Sequence, residues 1–350
     1  MSVDGKELRD VLRETAQPGV EEVCALLPEL CPELFAPGSE IHALRLKARV
    51  FRVKSELNEA ATSVVIKCLN PSLAERNELV IRRWLPGIGL PCIAPALIGT
   101  IGSRHGTRVW HVYEDLGNAV LDARNPIHDV VEAAVEIIAQ LHTRAADAPT
   151  LPECRHFLGD LGPSYFASNV RDAVAGLEAL GTRAGTLTST QRDVRDRLLG
   201  RLHRLLESLP LRARLMRAFG GPQTLLHGDL WTTNTFVIPS SEGVQARLID
   251  WDHAGVGPVA YDLSTFLYRF PSRDRLWILE HYRRAVGGVG WHLPDAPDLN
   301  VLFETAECAR FANRIIWPTI ALLNERAEWG HGELAQILSW FETLEPVLPN

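Results

Sequence analysis

The chain has 350 residues, 46% of them apolar, and a formal net charge of −7. It is longer than one ordinary domain and apolar enough for a sizeable core, so two lobes are expected. The negative balance argues against a broad nucleic-acid surface. Six cysteines (Cys24, Cys31, Cys68, Cys92, Cys154, Cys308) lack paired metal-type spacing and read as small buried residues in a reducing compartment. The first residues, Met-Ser-Val-Asp-Gly-Lys-Glu, lack a basic-then-apolar signal. The longest apolar candidate, around Ile315–Leu323, is too short to span a bilayer and contains Pro318. A soluble cytoplasmic protein is expected, with no nucleic-acid or membrane partner.

Residues 1–36 read as helices. Leu8, Val11 and Leu12 share one face, and Val20, Val23, Leu26 and Leu27 another, separated by Gln17-Pro18-Gly19. From Glu40 to Leu69 the texture changes to strands: Leu44–Lys54 alternates apolar and basic residues, Ser63–Leu69 is β-branched, and Glu56–Glu59 reads as the turn between them. Lys67 lies in Val64-Val65-Ile66-Lys67-Cys68-Leu69, where an unpaired cation is costly to bury. Ser72-Leu73-Ala74-Glu75 reads as a capping box opening a helix. Pro95–Gly102 and Arg108–Tyr113 read as two further strands, followed by Glu114-Asp115-Leu116-Gly117. The rest is mostly helical: Val130–Arg144 is amphipathic, and helices are expected at about Asp172–Leu180 and Thr190–Leu206. Asp274–Asn350 reads as helices carrying Trp291, Trp317, Trp329 and Trp340 and Glu304, Glu307, Glu325 and Glu328.

The chemistry concentrates between these helical stretches. Two apolar residues lead into His227-Gly228-Asp229, Asn234 follows five residues after the Asp, and Asp250 comes sixteen later, in Leu248-Ile249-Asp250-Trp251-Asp252. Phosphoryl transfer needs such a set: one carboxylate to accept the proton of an attacking hydroxyl, and a carboxamide with a second carboxylate to hold Mg²⁺. Thr235–Ile238 and Arg247–Ile249 read as a hairpin around Pro239–Gly243, which brings Asn234 and Asp250 together.

His227-Gly228-Asp229-Leu230-x-x-x-Asn234 followed by Ile249-Asp250-Trp251-Asp252 resembles the aminoglycoside phosphotransferase and choline-kinase-like small-molecule kinases, relatives of the protein kinases. The resemblance covers roughly residues 40–270. It implies an α+β, protein-kinase-like bilobal fold, with a small antiparallel β-sheet N-lobe over 1–116 and a mainly helical C-lobe over 117–350. It implies Asp229 as catalytic base and Asn234 and Asp250 as Mg²⁺ ligands. It also implies Lys67 on the α- and β-phosphates, with Glu78, one turn beyond the helix start, as the ion-pair partner of Lys67 and Glu75 as runner-up. Glu114 and Leu116 fall where the hinge backbone contacts adenine. His227 would orient the loop, Asp262 would brace it, and Asp252 would reach the metal through water, brace the site or stand solvated.

One departure concerns the phosphate-covering turn, expected near Arg45–Arg49. No glycine lies between Gly38 and Gly87, so Arg45, Lys47 or Arg49 either contacts phosphate by side chain or forms a solvated basic face. The implied reaction is transfer of the γ-phosphoryl of ATP, or GTP, to a hydroxyl of a small molecule such as an aminoglycoside or other antibiotic. Choline-, ecdysteroid- or ketosamine-type metabolite kinases are the alternative. A nucleotide-binding pseudokinase is disfavoured by the intact Lys67, Asp229, Asn234 and Asp250, and a two-metal phosphohydrolase gives no reason for the pair made by Lys67. A monomer or homodimer is expected.

Overall fold

The computed structural model describes residues 4–57, 60–183, 187–240 and 243–349. The chain divides into two compact units, Met1–Leu121 with Asn234–Asp252, and Asp122–Thr233 with His253–Asn350.

The first unit begins with helices α1 (Asp4–Arg13) and α2 (Val20–Leu30). Strands β1 (Glu40–Lys47), β2 (Val50–Leu57), β3 (Ala60–Leu69), β4 (Leu97–Gly102) and β5 (Val109–Glu114) form an antiparallel sheet in the order β1-β2-β3-β5-β4. The alternating stretch Leu44–Lys54 is shared between β1 and β2, and the chain reverses at Ala48-Arg49, within the Arg45–Arg49 stretch where the phosphate-covering turn is expected. The Arg45 guanidinium donates to the carbonyls of Lys47 and Ala48, both at 3.4 Å, which holds the turn by a side chain where no glycine is present. Of the expected turn Glu56–Glu59, Asn58 and Glu59 lie outside the described residues.

Helix α3 (Pro71–Leu79) runs through a π-helical turn, Val80–Trp84, into the short α4 (Leu85–Gly87). The expected capping box at Ser72 is absent. Asn70 is the N-cap and makes no side-chain cap, and Pro71 occupies the first helical position, for which its fixed φ suits it. The N-terminal helices cover one face of the sheet, with Leu8, Leu12, Val23 and Leu27 in one core with Phe51, Ile66 and Trp110. Trp110 fixes that packing by donating its indole N–H to the carbonyl of Pro18 at 2.9 Å.

The second unit is mainly helical: α5 (His128–Ala146), α6 (Leu151–Leu158), α7 (Pro163–Arg183) and α8 (Ser189–Phe219) come first. Helix α8 runs past its expected end because its apolar face continues through Leu205, Leu209 and Met216, all buried, although Pro210 looks like a stop. A capping box between Thr188 and Gln191 opens it. The short strand β6 (Gln223–Leu226) leads into the motif. The chain then contributes hairpin β7 (Thr235–Ser240) and β8 (Gly243–Leu248) to the first unit before returning as β9 (Gly255–Pro258), antiparallel to β6. Ser241 and Glu242, in the expected hairpin turn, lie outside the described residues. A boundary at residue 116 leaves 234–252 with the helical lobe, whereas ladder bonds tie that hairpin to the first unit. Leu121 donates to Thr235, Val237 to Ala119 and Leu248 to Ile93.

Helices α9 (Ala260–Leu267), α10 (Ser272–Gly287), α11 (Ala296–Glu325) and α12 (Trp329–Glu342) complete the second unit. One core of it joins Phe166 and Leu177 of α7, Leu198 and Leu202 of α8, Ile315 of α11 and Ile337 of α12. Among the described residues no helix is long and apolar enough to cross a membrane. Cys31, Cys68, Cys154 and Cys308 are buried free thiols, as expected, whereas Cys92 is exposed and Cys24 partly so.

The segment after β5 is fixed by a buried cation. The Arg52 side chain, 8% exposed, lies 2.7 Å from the Asp115 carboxylate, itself 4% exposed, and donates to the carbonyl of Gly117 and, at 2.7 Å, to Asn118 Oδ1. Removing one partner of a buried pair strands the other charge, at a cost of about 3–5 kcal/mol. Arg52→Met therefore lowers the unfolding free energy by about that amount, and adding Asp115→Asn recovers much of the loss; urea denaturation of the two variants checks this.

Candidate active site

In the first unit the sheet presents Lys67 from β3. Its ammonium meets two carboxylates delivered by the segment after β8, Asp250 at 2.7 Å and Asp252 at 2.8 Å. Burial works to lower the Lys67 pKa, but the two aspartates outweigh it and the net shift is upward, so the cation is firmly held. Helix α3 adds a third side to the cluster, where the Asn77 carboxamide donates to Asp252 at 2.9 Å.

The expected Lys67–Glu78 pair is not formed. Lys67 is opposite His111 in the β3–β5 register, and the Glu78 carboxylate lies 3.4 Å from His111 Nε2. Burial drives the His111 pKa down to about 4, helped by the charges of Lys67 and Arg82, so the ring is neutral near pH 7 and its contact with Glu78 is not an ion pair. Its Nδ1 meets the Tyr113 hydroxyl at 2.7 Å. The runner-up, Glu75, lies with Glu78 along a groove on α3.

Asp250 follows the β7–β8 hairpin, whose register runs from Thr235 opposite Leu248 to Ser240 opposite Gly243. The next bond out, from Ile249 N–H to the Asn234 carbonyl at 2.9 Å, places Asn234 beside the chain that carries Asp250. Asp250 itself has φ +68°, a left-handed conformation uncommon outside glycine. Such conformations cost about 1–3 kcal/mol and gather where the surroundings hold a side chain in a required place. Glu114 closes β5, its N–H donating to Ala96 O at 2.9 Å and its carboxylate accepting Ala96 N–H at 3.1 Å. Half-buried Leu116 lies in the segment held by Arg52.

In the second unit the loop after β6 carries His227, Gly228 and Asp229. Asp262, near the start of α9 and fully buried, accepts the backbone N–H groups of His227 at 2.8 Å and Gly228 at 2.9 Å. His142 Nε2 lies 3.3 Å from the same carboxylate, and its Nδ1 meets the Tyr282 hydroxyl at 2.8 Å. Burial alone would raise the Asp262 pKa, but the His142 hydrogen bond, the charges of His142 and His227, and the Gly228 N–H bring it below the ordinary carboxylate value. Asp262 is thus the brace expected of it, and His142 is structural. Gly228 has φ +80°, and a Cβ there would lie 1.8 Å from the His253 carbonyl, so the loop admits only glycine.

Asp229, half-buried, faces a cavity of about 300 Å³ walled by Tyr165, Tyr261, Arg310, Trp317 and Trp329. Of the four C-terminal tryptophans, Trp317 and Trp329 line this cavity and Trp340 lines a neighbouring one. Of the glutamates singled out in the sequence, Glu307 lines the neighbouring cavity, and Glu304 pairs with Arg212 at 3.0 Å.

Against known families, the model described as the phosphotransferase enzyme family matches residues 47–298, more than two thirds of the chain. The chain belongs to the phosphotransferase enzyme family. Solved structures agree with that in fold. Spectinomycin phosphotransferase APH(9)-Ia, in complex with ADP and spectinomycin, is 15% identical, with 93% of this chain and 95% of that one covered and a TM-score of 0.57. An ethanolamine kinase of Plasmodium vivax is 13% identical (91% and 86% covered, TM-score 0.55), and choline kinase LicA of Streptococcus pneumoniae 14% identical (91% and 99%, TM-score 0.53). No functionally curated protein matches the sequence. The α+β phosphotransferase is therefore kinase-like in fold, with its five-stranded antiparallel sheet followed by a mainly helical remainder.

The sequence did not single out Asn77, Arg52 or His111 of this phosphotransferase. None belongs to a motif, and each acquires its role only from the strand or helix register that turns it toward a buried partner. His111 has a measurable consequence. Its folded pKa lies below the ordinary 6.5, so the unfolded chain binds the proton first as pH falls. Stability therefore declines from about pH 6.5 to pH 4 and levels off below, by about 3 kcal/mol in all. Unfolding measured across that range should show His111→Gln losing most of this slope.

Proposed function

We propose that this phosphotransferase moves the γ-phosphoryl group of a nucleoside triphosphate, ATP or GTP, to a hydroxyl group of a small molecule. The observation that carries the proposal is the Lys67–Asp250–Asp252 cluster, one cation and two carboxylates within 2.8 Å beside a hairpin that brings in Asn234. Among the described residues no three His, Cys, Asp or Glu side chains form a ready-made metal site. The donors at hand are oxygens of Asp250, Asp252 and Asn234, an incomplete set of the kind Mg²⁺ tolerates, since it keeps waters and shares phosphate oxygens. The residues thus fit Mg²⁺ with a nucleotide. When bound, that metal would offset phosphate charge.

In this reading Lys67 would hold the α- and β-phosphates, and Asp250 and Asn234 would hold the metal. Asp252, held by Asn77, stays as a brace or reaches the metal through water. Glu114 and Leu116 supply backbone to the base, and Arg45, Lys47 and Arg49 flank the turn that covers the phosphates. Asp229 orients the acceptor hydroxyl and takes its proton, with its loop preset by Asp262 and Gly228. Catalysis comes from positioning and charge stabilisation more than from covalent chemistry.

Trp317 and Trp329 in the cavity beside Asp229 suit an acceptor with a hydrophobic body. Arg310 and Arg314 in the same wall weigh against a polycation. A general base contributes about 10² to 10⁴ to the rate. Asp229→Asn should lower product formation by about that factor, read by mass spectrometry as gain of one phosphoryl group, with Mg·ATP affinity unchanged in calorimetry. A folded Asp229→Asn protein that no longer binds Mg·ATP contradicts the assignment.

A further inference from the structure

A second cavity, of about 160 Å³, adjoins the one that holds Asp229 and shares Arg310 and Arg314 with it. Its charged lining is Arg269, Arg310, Arg314 and Glu307, and its aromatic lining includes Trp231 and Trp340. The single acid is already committed. Glu307, 3% exposed, forms an ion pair with Arg310 and accepts hydrogen bonds from Ser264 Oγ at 2.8 Å and Thr265 Oγ1 at 3.3 Å. Arg310 also donates to the Tyr261 carbonyl at 3.0 Å.

Arg269 and Arg314 are placed differently from the arginines of this unit that acids hold. Arg212, Arg283 and Arg310 each bond a carboxylate. The guanidinium of Arg269 instead lies 4.1 Å over the Trp231 ring and that of Arg314 lies 5.7 Å from the Trp340 ring centroid, and among the described residues neither donates to a protein oxygen. For Arg314, which is exposed, that is ordinary. Arg269 is half-buried, and its Nε is buried with no hydrogen-bond partner. Burial is the main cause that depresses the Arg269 pKa, with only partial relief from Glu307 and Asp229 and a further push down from Arg310 and Arg275. A guanidinium carries five donors in a planar fork that matches carboxylate and phosphate geometry, and stacking on an aromatic face holds that fork ready.

We infer that this cavity binds the anionic group, a carboxylate or a phosphate, of the molecule whose hydroxyl is phosphorylated, with Arg269 and Arg314 as its ligands. The inference rests on the reading of Asp229 as the acceptor base, since the shared Arg310–Arg314 wall is what joins the two cavities. It makes the acceptor an anionic hydroxy compound. An amine entering the same cavity meets three guanidinium groups and no uncommitted acid.

The test uses three probes with one skeleton: para-hydroxymethyl benzoate, para-hydroxymethylphenyl phosphate and para-hydroxymethyl benzylamine. Each is titrated calorimetrically into the full chain with Mg·ADP and incubated separately with Mg·ATP for mass spectrometry. The benzoate or the phosphate, or both, should bind and the amine should not. Arg269→Gln and Arg314→Gln should each weaken anion binding about tenfold to a hundredfold, and Arg269→Lys should recover part of it. The arm that binds tells carboxylate from phosphate recognition. Arginine-dependent anion binding with no phosphorylated product supports the anion site and overturns the kinase reading instead. Amine phosphorylated with a KM indifferent to both Gln variants overturns the anion site and leaves the kinase reading standing. Absence of anion binding at millimolar concentration, or anion binding unchanged in both Gln variants, also overturns it.

Discussion

An ammonium group in the interior of a β-sheet needs an anion, and the first unit is built around how Lys67 obtains two. Asp250 and Asp252 come from a hairpin more than 180 residues further along the chain and close on the ammonium at 2.7 and 2.8 Å. The same contact joins three pieces of chain, because Asn77 of α3 also bonds Asp252. Asp250 adopts a left-handed backbone to reach it. Breaking one partner out of such a half-buried cluster is costly, whereas exchanging a carboxylate for a phosphate oxygen keeps the cation satisfied. The arrangement is therefore stable without a ligand and yet suited to receive one.

The second unit solves a different problem, how to hold a short irregular loop rigidly. It does so with one ionised carboxylate. Asp262 accepts two successive backbone N–H groups, from His227 and Gly228, and is itself oriented by a buried His142–Tyr282 relay. Charge-assisted bonds of this kind in a buried setting are strong and directional. The loop so held leaves Asp229 half-buried at a cavity wall, where a carboxylate is reachable by a hydroxyl. Helix α11 supplies the opposing chemistry, since Arg310, Arg314 and Trp317 recur at three- and four-residue spacing on one face.

Much of this was legible in the sequence. The spacing from Asp229 to Asn234 to Asp250 pointed to phosphoryl transfer because few other chemistries need a carboxylate, a carboxamide and a carboxylate in that order. The hairpin followed from β-branched residues flanking turn residues, and the brace at Asp262 from the family resemblance. What was not legible depended on register and on distant partners. Glu78 stood as the implied partner of Lys67 because a capping box was expected to occupy Glu75, yet His111 stands opposite Lys67 across the strand pair, and the carboxylates come from Asp250 and Asp252. The start of α3 was misread because Pro71 opens the helix ahead of the serine. The two stacked arginines carry no motif, and only the tertiary fold reveals that no acid meets them.

The central claim is that Lys67, Asp250 and Asp252 form a nucleotide site, in which Lys67 would hold the phosphates and Asp250 the metal. Calorimetric titration of ADP into the wild type and into Asp250→Asn, each with Mg²⁺ and with chelator, tests it most directly. The account predicts that Mg²⁺ tightens binding to the wild type and that Asp250→Asn, still folded, loses most of that metal dependence. Binding that is indifferent to Mg²⁺ in the wild type, or equally enhanced by Mg²⁺ in both proteins, would contradict it.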